Sequence, residues 1–259
     1  MDVQELNELI DRVSAGDVQA LVKLIDYYLS IGDMKRAKLE AERLKYINNY
    51  LAYRKLASIY FLGTFGEQNI ELAKEYYRKA YEQGDDISGY NLALLLVKEN
   101  NSLDAISILT GAVSRDYIPA LKLLASLYLK GDGVAKDLTI ALSLLQKARE
   151  LGEDSVITPM GKIYYLMGDY EEAFNCFSIG LHQKDLDAIY HLGLCYEKGL
   201  GVPQDLNKSR FYYEMGANLN EPNCLYNLSV YYRNGITVPQ NTELADTLLQ
   251  QAIDNGFKK

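Results

Sequence analysis

Residues 188–217 read AIYHLGLCYEKGLGVPQDLNKSRFYYEMGA, and this stretch decides the fold. Leu192 and Tyr196 are one helical turn apart, so they share the apolar face of a first helix. The segment 199–203 interrupts that helix with two glycines and a proline, and Asp205 can cap a second helix. Two helices of this length cannot bury both apolar faces alone. The stretch therefore predicts a helix pair that needs neighbours of the same kind.

The same pattern recurs along the whole chain. We compare the repeats through the pair Leu192-Gly193 and its equivalents, and we call the second residue of each pair the anchor. The anchors stand at 25, 57, 93, 125, 161, 193 and 229. The intervals between these positions alternate between 32 and 36 residues. Three residues after each anchor is an aromatic column, in which Leu96 is the exception: Tyr28, Tyr60, Leu96, Tyr128, Tyr164, Tyr196 and Tyr232. Periods of this length indicate a helical solenoid.

The alternation in length comes from a single turn between the two helices of a repeat. From the aromatic column to the first small residue of the second helix is 9 residues in short repeats and 13 in long ones. Four residues before each small residue is an Asp or Asn that can cap the second helix: Asp33, Asn69, Asn101, Asp137, Asp169, Asp205 and Asn241. We therefore predict that long and short repeats differ only in this turn, and that each cap contributes about 1 kcal/mol.

These patterns predict an all-α solenoid of about seven helix pairs, preceded by an N-terminal helix at 2–15. A solenoid has no internal boundary, so we expect a single domain over 1–259. We number its repeats one to seven, and their approximate limits are 17–49, 50–84, 85–116, 117–152, 153–185, 186–220 and 221–256. Repeats one, three and five are short, and the other four are long.

Glycine and proline give two more local predictions. Gly84, Gly152 and Gly256 follow second helices at equivalent positions, so we expect left-handed residues there. Pro159 lies within the first helix of repeat five. That helix should start late, with Thr158 as its cap, or be kinked.

Composition limits the classes of function. The formal charge of −8 argues against general binding to nucleic acid or anionic membranes. No apolar stretch approaches the roughly 20 residues of a membrane span, and the acidic N-terminus does not resemble a signal peptide. The three cysteines share no spacing, so we expect buried thiols in a reducing compartment, the cytoplasm. The oligomeric state has no signature in the sequence.

Repeat four carries the full signature of a known repeat, with a twin at 188–205. Its residues are Ala120, Leu124, Ala125, Tyr128, Gly131, Gly133, Val134, Asp137 and Ala141. The signature resembles the Sel-one-like repeat, a relative of the tetratricopeptide repeat with a longer, Gly-containing turn. The resemblance covers essentially the whole chain and is strongest in the long repeats. It implies a right-handed superhelix of antiparallel helix pairs, used as an adaptor that holds other proteins together.

No catalytic constellation is present in the sequence. Its two histidines, His182 and His191, lack a second histidine at metal-ligand spacing, and we expect His191 at the surface or between repeats. The Gly-x-Gly motifs at 131–133 and 199–201 recur as turns, and no Lys-Ser/Thr follows them. We therefore predict a non-enzymatic protein without cofactor or metal.

The first helices carry an excess of basic residues where a groove is expected. In tetratricopeptide-like stacks the first helices line the concave side, with groove positions three before each anchor and one, four and five after it. The basic residues there are Arg54, Lys98, Lys122, Lys130, Lys162, Lys198 and Arg233, and the interleaved aromatic residues include Phe61, Tyr90, Tyr165, Tyr190 and Tyr226. With the acids Asp26 and Glu197, these positions sum to +5 in a chain of −8.

Two interpretations of these positions stay open. One is an ordinary solvated helix face. The other is a groove for an acidic peptide or helix, in which basic side chains steer the ligand and tyrosines supply contact area. The groove interpretation predicts a scaffold for a protein partner. The alternatives are a bacterial immunity or effector-associated protein, a regulatory protein, or an enzyme with a small-molecule site, for which the sequence offers no residues.

Overall fold

The computed structural model describes residues 1–258, which form fifteen α-helices and one short 3-10 helix, without a β-strand. The all-α prediction is confirmed. In chain order the helices are α1 Val3–Ser14, α2 Val18–Ser30, α3 Met34–Leu44, α4 Tyr50–Leu62, α5 Ile70–Glu82, α6 Asp86–Lys98, α7 Ser102–Val113, α8 Ile118–Lys130, α9 Leu138–Glu150, α10 Ile157–Met167, α11 Tyr170–His182, α12 Leu186–Lys198, α13 Leu206–Asn218, α14 Pro222–Asn234 and α15 Thr242–Asp254. The even-numbered helices from α2 onward are the first helices of the repeats.

The chain divides into two compact halves, Met1–Leu123 and Leu124–Lys259. In the N-terminal half each helix packs against its neighbour in sequence, and the first helices α2 and α4 also contact each other. The C-terminal half has the same arrangement, with α12 against α14. Both halves thus contain stacked helix pairs, as a solenoid requires. The expectation of one domain over 1–259 stays a prediction.

One backbone hydrogen bond closes the turn in every repeat, short or long. The amide of the cap residue donates to the carbonyl of the residue in the aromatic column, at 2.8–3.0 Å in all seven repeats. In repeat one this bond joins Asp33 to Tyr28, and in repeat six it joins Asp205 to Tyr196. The first helices of these two repeats both have 13 residues, so the four additional residues lie wholly within the closed turn. The prediction about turn length is confirmed.

All seven predicted cap residues stand at the N-cap position, but only five of their side chains make the cap bond. Asp33, Asn69, Asp137, Asp205 and Asn241 each accept a backbone amide. Asn101 and Asp169 make no such bond, so the prediction is wrong there. Asn101 instead donates its side-chain amide to the carboxylate of Asp104 at 2.7 Å, which turns its side chain away from the helix amides.

The helix that contains Pro159 starts late, as predicted, after a 3-10 turn at Asp154–Val156. Its cap residue is Val156, so the assignment of Thr158 as the cap is wrong. Thr158 is buried within the first helical turn and packs against Gly180 of α11, where an added Cβ would lie 2.4 Å from its Oγ1. Pro159 is tolerated because the first turn does not use its amide.

After the second helices of repeats two to seven, one residue adopts the left-handed conformation, as predicted for the three glycines. Gly84, Gly152 and Gly256 have φ of +89°, +92° and +97°. At the equivalent position of other repeats, Asp116, Lys184 and Asn220 adopt φ of +60°, +61° and +58°.

In the cores, small residues of first helices pack directly against aromatic rings of second helices. A Cβ added to Gly161 would lie 2.7 Å from the ring of Phe177, and one added to Gly193 would lie 2.5 Å from the ring of Tyr213. Both rings come from the second helix of the same repeat and are fully buried. The small first-helix residue therefore sets the distance at which its second helix can pack.

Two residues of the aromatic column stack on tyrosines of second helices, but only Tyr28 and Leu96 of the column are buried as core residues, and the other five are half-buried. Tyr60 stacks on Tyr76, with ring centroids 5.7 Å apart and an interplanar angle of 2°. Tyr196 stacks on Tyr212 at 5.7 Å and 9°. The two pairs are equivalent, because each joins a column residue to the residue 16 positions later in the long repeat.

Candidate functional site on the first helices

All twelve predicted groove residues are exposed or half-buried, and Tyr165, Tyr190 and Tyr226 among them pack against buried core residues. The N-terminal half carries Arg54, Phe61, Tyr90, Lys98 and Lys122. The C-terminal half carries Lys130, Lys162, Tyr165, Tyr190, Lys198, Tyr226 and Arg233.

Four of the seven basic residues stand in the last turn of a first helix. They are Lys98 of α6, Lys130 of α8, Lys198 of α12 and Arg233 of α14. The C-terminal end of a helix carries partial negative charge, and a cation there contributes about 0.3–1 kcal/mol. Their recurrence thus has a structural cause that is independent of any ligand.

Three of the basic residues pair with acids that lie outside the counted positions. Arg54 contacts Asp85 at 2.8 Å, and Arg233 contacts Asp246 at 2.7 Å. Lys162 pairs with Asp187. The sum of +5 therefore overstates the positive charge at these positions, because aspartates outside the counted positions neutralise part of it.

The pair of Arg54 and Asp85 is the most buried of these ion pairs. The Arg54 side chain is 30% exposed and that of Asp85 only 6%. Asp85 is also the N-cap residue of α6, where it accepts from the amide and the hydroxyl of Ser88 at 3.1 and 2.5 Å. Arg54 is thereby held in one place, and its guanidinium also lies over the ring of Tyr50 at 5.9 Å.

A depression of about 290 Å³ lies beside Arg54 in the N-terminal half. Its lining comes mainly from the first helices α2, α4 and α6, and its residues are Val22, Leu51, Arg54, Lys55, Ser58, Tyr77 and Asn91. Lys55 is a second cation in this wall; its side chain is 15% exposed and pairs with Asp26. Lys55 is not among the predicted groove residues, although it neighbours Arg54 and its partner Asp26 occupies a counted groove position one repeat earlier.

The aromatic groove residues of the N-terminal half do not gather around this depression. Tyr90 packs edge-on against Tyr117, with ring centroids 6.2 Å apart. Phe61 is half-buried near the end of α4, where its carbonyl accepts from the Gln68 side chain at 2.5 Å. The depression is therefore walled by cations and polar groups more than by aromatic rings.

In the C-terminal half, Tyr165 and Tyr190 flank His191, with ring centroids 6.0 and 4.9 Å from the imidazole. His191 lies between repeats, one of the two placements expected, and stacks on Phe177 at 4.6 Å. Its Nδ1 is buried without a hydrogen-bond partner in residues 1–258. Burial, aided by the charge of Lys162, lowers the pKa of His191 to about 4, so the ring is neutral near pH 7.

Tyr226 belongs to a separate contact near the C-terminus. Its ring stacks on Phe257 with centroids 4.2 Å apart and an interplanar angle of 12°. The predicted aromatic residues thus do not form one continuous surface: Tyr165 and Tyr190 share His191 as a neighbour, whereas Tyr226 contacts Phe257.

The three cysteines of the chain are buried thiols. Cys176, Cys195 and Cys224 are free and buried, as expected, and burial raises the pKa of Cys176 and Cys195 to about 11. Such thiols stay protonated near pH 7 and are poor nucleophiles. Residues 1–258 contain no cluster of three His, Cys, Asp or Glu side chains that could hold a metal ion. No helix among them combines the length and apolar character of a membrane span.

Stacked helix pairs at intervals of 32 and 36 residues, joined by one closed turn, define a helical repeat protein of the tetratricopeptide-like class. The sequence profile of the family described as Sel1 repeat matches residues 51–85, 118–153, 186–221 and 222–257, more than half of the chain. The chain therefore belongs to the Sel1 repeat family. The four matches coincide with the long repeats, where the sequence resemblance is strongest.

Solved structures show the same fold. A Sel1 repeat protein from Oxalobacter formigenes superposes with a TM-score of 0.72 at 23% identity, covering 90% of this chain and 96% of that chain. The protective antigen c5321 of uropathogenic Escherichia coli strains, which displays an SLR fold, superposes with a TM-score of 0.79 at 20% identity. That match covers 97% of this chain and 56% of the antigen.

Two curated proteins share parts of the sequence. The ERAD-associated E3 ubiquitin-protein ligase component HRD3 of Candida glabrata is 23% identical over 203 residues, which cover 74% of this chain and 24% of HRD3. DAP3-binding cell death enhancer 1 of Rattus norvegicus is 33% identical over 85 residues, 32% of this chain and 17% of that protein. The matches thus span a quarter or less of these relatives. Sel1 repeat proteins are interaction scaffolds, and their fold is generally non-enzymatic.

Proposed function

We propose that this protein is a non-enzymatic scaffold that binds an acidic segment of a partner protein on the first helices of residues 1–123. The anchoring point is the depression of about 290 Å³ beside Arg54 and Lys55. The observation that carries this proposal is the presence of two cations in one wall, one held by Asp26 of α2 and the other by Asp85, the N-cap residue of α6.

The two cations are ordered before any ligand arrives. Asp85 holds Arg54 through Nη1, and Asp26 holds Lys55. A guanidinium has five donors, so Arg54 retains donors for an incoming carboxylate. Ordering a long side chain on binding costs about 0.5–1.5 kcal/mol, and these ion pairs reduce that cost.

The two acids differ in how easily a ligand carboxylate can replace them. Asp85 is buried and stays with Arg54, whereas the side chain of Asp26 is 57% exposed. A ligand carboxylate can therefore exchange with Asp26 at Lys55 without leaving a buried charge unpaired. The net charge of −8 repels an acidic segment at long range, so we expect recognition to depend on the local contacts with the two cations.

The proposal can be tested with a displayed library of random twelve-residue peptides, selected on the whole chain. We expect the selected peptides to be enriched in Asp and Glu over the input library. Lys55→Gln should weaken a selected peptide by about tenfold or more, because it removes a hydrogen bond to a charged group. Added salt should also weaken binding.

Arg78→Gln is the matched control. Arg78 is an exposed cation on the second helix α5, so its loss changes the net charge equally but leaves the depression intact. The proposal fails if the selected peptides lack acidic enrichment, or if Lys55→Gln and Arg78→Gln have the same effect. Circular dichroism should show both variants folded.

We also propose that the protein works in a reducing compartment, the cytoplasm. Three buried free cysteines support this assignment, since oxidising compartments favour disulfides.

A further inference from the structure

The long turn of repeat two departs from that of repeat six at two adjacent positions. Phe65 and Gly66 stand where repeat six has Gly201 and Val202. Gly201 has a φ of +72°, and a Cβ added there would lie 2.1 Å from the carbonyl oxygen of Tyr170, the first residue of α11. Repeat six can therefore close its turn on the preceding second helix because this residue is glycine. Val202 packs against the core beneath that turn.

In repeat two Phe65 replaces that glycine, and space remains between the turn and the preceding second helix. A cavity of about 210 Å³ lies between this turn and α3, the second helix of repeat one. Its floor is apolar and consists of Ala41, Leu56, Ile59, Tyr60 and Phe65. At Gly66, which also lines the cavity, an added Cβ would meet no atom within 4 Å.

The volume of this cavity suits one large apolar group. An apolar cavity of about 150 Å³ in another protein binds benzene, so this one has room for a leucine, phenylalanine or tryptophan side chain. Such anchors in pockets contribute a large share of the affinity at protein interfaces.

The α3 wall of the cavity is basic. Helix α3, its cap and the residue that follows it carry three acids, each paired with a cation: Asp33 with Arg36, Glu40 with Arg43, and Glu42 with Lys45. Two further cations on this helix, Lys35 and Lys38, are exposed and have no ion-pair partner within residues 1–258. Lys38 stands at the mouth of the cavity, and Lys35 lines the depression beside it.

The opposite wall carries one acid, Glu67. On the basic side, Leu39 is 66% exposed next to Lys38 and extends the apolar surface beyond the mouth. The mouth therefore has the unpaired cation Lys38 on its α3 side and Glu67 on the opposite side, and the second unpaired cation, Lys35, lies in the neighbouring depression.

We propose that this cavity is a docking pocket for one large apolar side chain of a partner protein. The segment that carries this side chain has Asp or Glu beside it, facing Lys35 and Lys38. The pocket opens between α3, α4 and the turn after α4, and neither Arg54 nor Lys55 lines it. It can therefore be tested separately from the binding proposed at those two cations.

In the test, the whole chain is labelled with ¹³C at its isoleucine and leucine methyl groups and observed by NMR. Three pentapeptides are titrated into it in turn. The first peptide has phenylalanine between two pairs of aspartates; the second replaces phenylalanine by alanine; the third replaces the aspartates by lysines. We expect the first peptide to shift the methyl signals of Ile59 and Leu56 saturably. The other two should bind about tenfold more weakly or not at all.

Gly66→Val is the decisive variant, because it supplies the side chain that repeat six has at this position. The backbone of Gly66 is not left-handed and the space is open, so valine should fit without strain. We expect Gly66→Val to abolish the methyl shifts, Lys38→Gln to weaken them, and Arg78→Gln to leave them unchanged.

Three results would overturn the proposal. They are an absence of shifts at Ile59 and Leu56 with the first peptide, equal binding of the alanine peptide, and unchanged binding by a folded Gly66→Val variant. If that variant does not fold, the comparison of the three peptides on the natural chain decides alone.

Discussion

Two aspartates that begin second helices provide a matched test of helix capping. Asp205 accepts from the amides of Asn207 and Lys208, each at 3.0 Å. Asp169 occupies the equivalent position of repeat five but accepts no amide. Replacing each by alanine removes a carboxylate from the same place in the repeat, while only Asp205→Ala removes cap hydrogen bonds.

The expected magnitudes follow from this difference. An acid at a helix N-terminus contributes about 0.3–1 kcal/mol through the helix dipole, and both variants lose this part. Losing an N-cap costs about 0.5–2 kcal/mol in total, so Asp205→Ala should cost about 1 kcal/mol more than Asp169→Ala. In a chain of this size, 1 kcal/mol corresponds to a fall in Tm of about 2–4 °C.

The assay should resolve local from global effects, because repeat arrays can open one repeat at a time. Guanidinium unfolding followed by circular dichroism gives the global change. Hydrogen exchange at the amides of Asn207 and Lys208 gives the local change, with protection expected to fall about fivefold for each 1 kcal/mol. Equal losses in the two variants, or no loss in either, would refute the assignment of these side-chain bonds as stabilising caps.

Three further predictions concern buried groups. His191 is neutral in the folded protein but has a pKa near 6.5 when unfolded, so the free energy of unfolding should fall by up to about 3 kcal/mol between pH 6.5 and 4. His191→Phe should flatten this part of the profile in denaturation curves, and an unchanged profile would contradict it. Gly193→Ala should lower the free energy of unfolding by about 1–3 kcal/mol in thermal unfolding, because the new Cβ meets the Tyr213 ring. Adding Tyr213→Leu to this variant should restore part of the loss. Arg54→Ala should cost about 1–3 kcal/mol by leaving buried Asp85 unpaired, and Arg54→Lys should recover some of it in the same measurement.

The sequence predicted the repeat architecture well because its determinants are local. The interval from Tyr196 to Asp205 correctly placed the long turn, and the Asp or Asn residues correctly marked where the second helices begin. A helix start depends on groups within a few residues of each other, so spacing alone is informative. The prediction that Thr158 caps its helix is wrong because a tertiary contact decides the position of this residue. Its side chain packs against Gly180 of the next helix.

The candidate sites were predicted only in part, because they depend on partners from other helices. The excess of basic residues was visible in the sequence, but the acids that offset it were not assigned. Arg54 finds its acid 31 residues away, and Lys162 finds one 25 residues away. A sum of charges over the predicted groove positions cannot include such partners.

The sequence by itself determined the helices, their turns and the family, because hydrogen bonds and apolar spacing within one repeat suffice for these. The tertiary structure decided which cations are paired and where space is left between helices. Gly66 illustrates the distinction: in the sequence it is one more turn glycine, whereas in the structure it borders an open cavity. Such a cavity arises only when side chains from α3, α4 and the turn after α4 are placed against each other, and packing between distant residues fixes those positions.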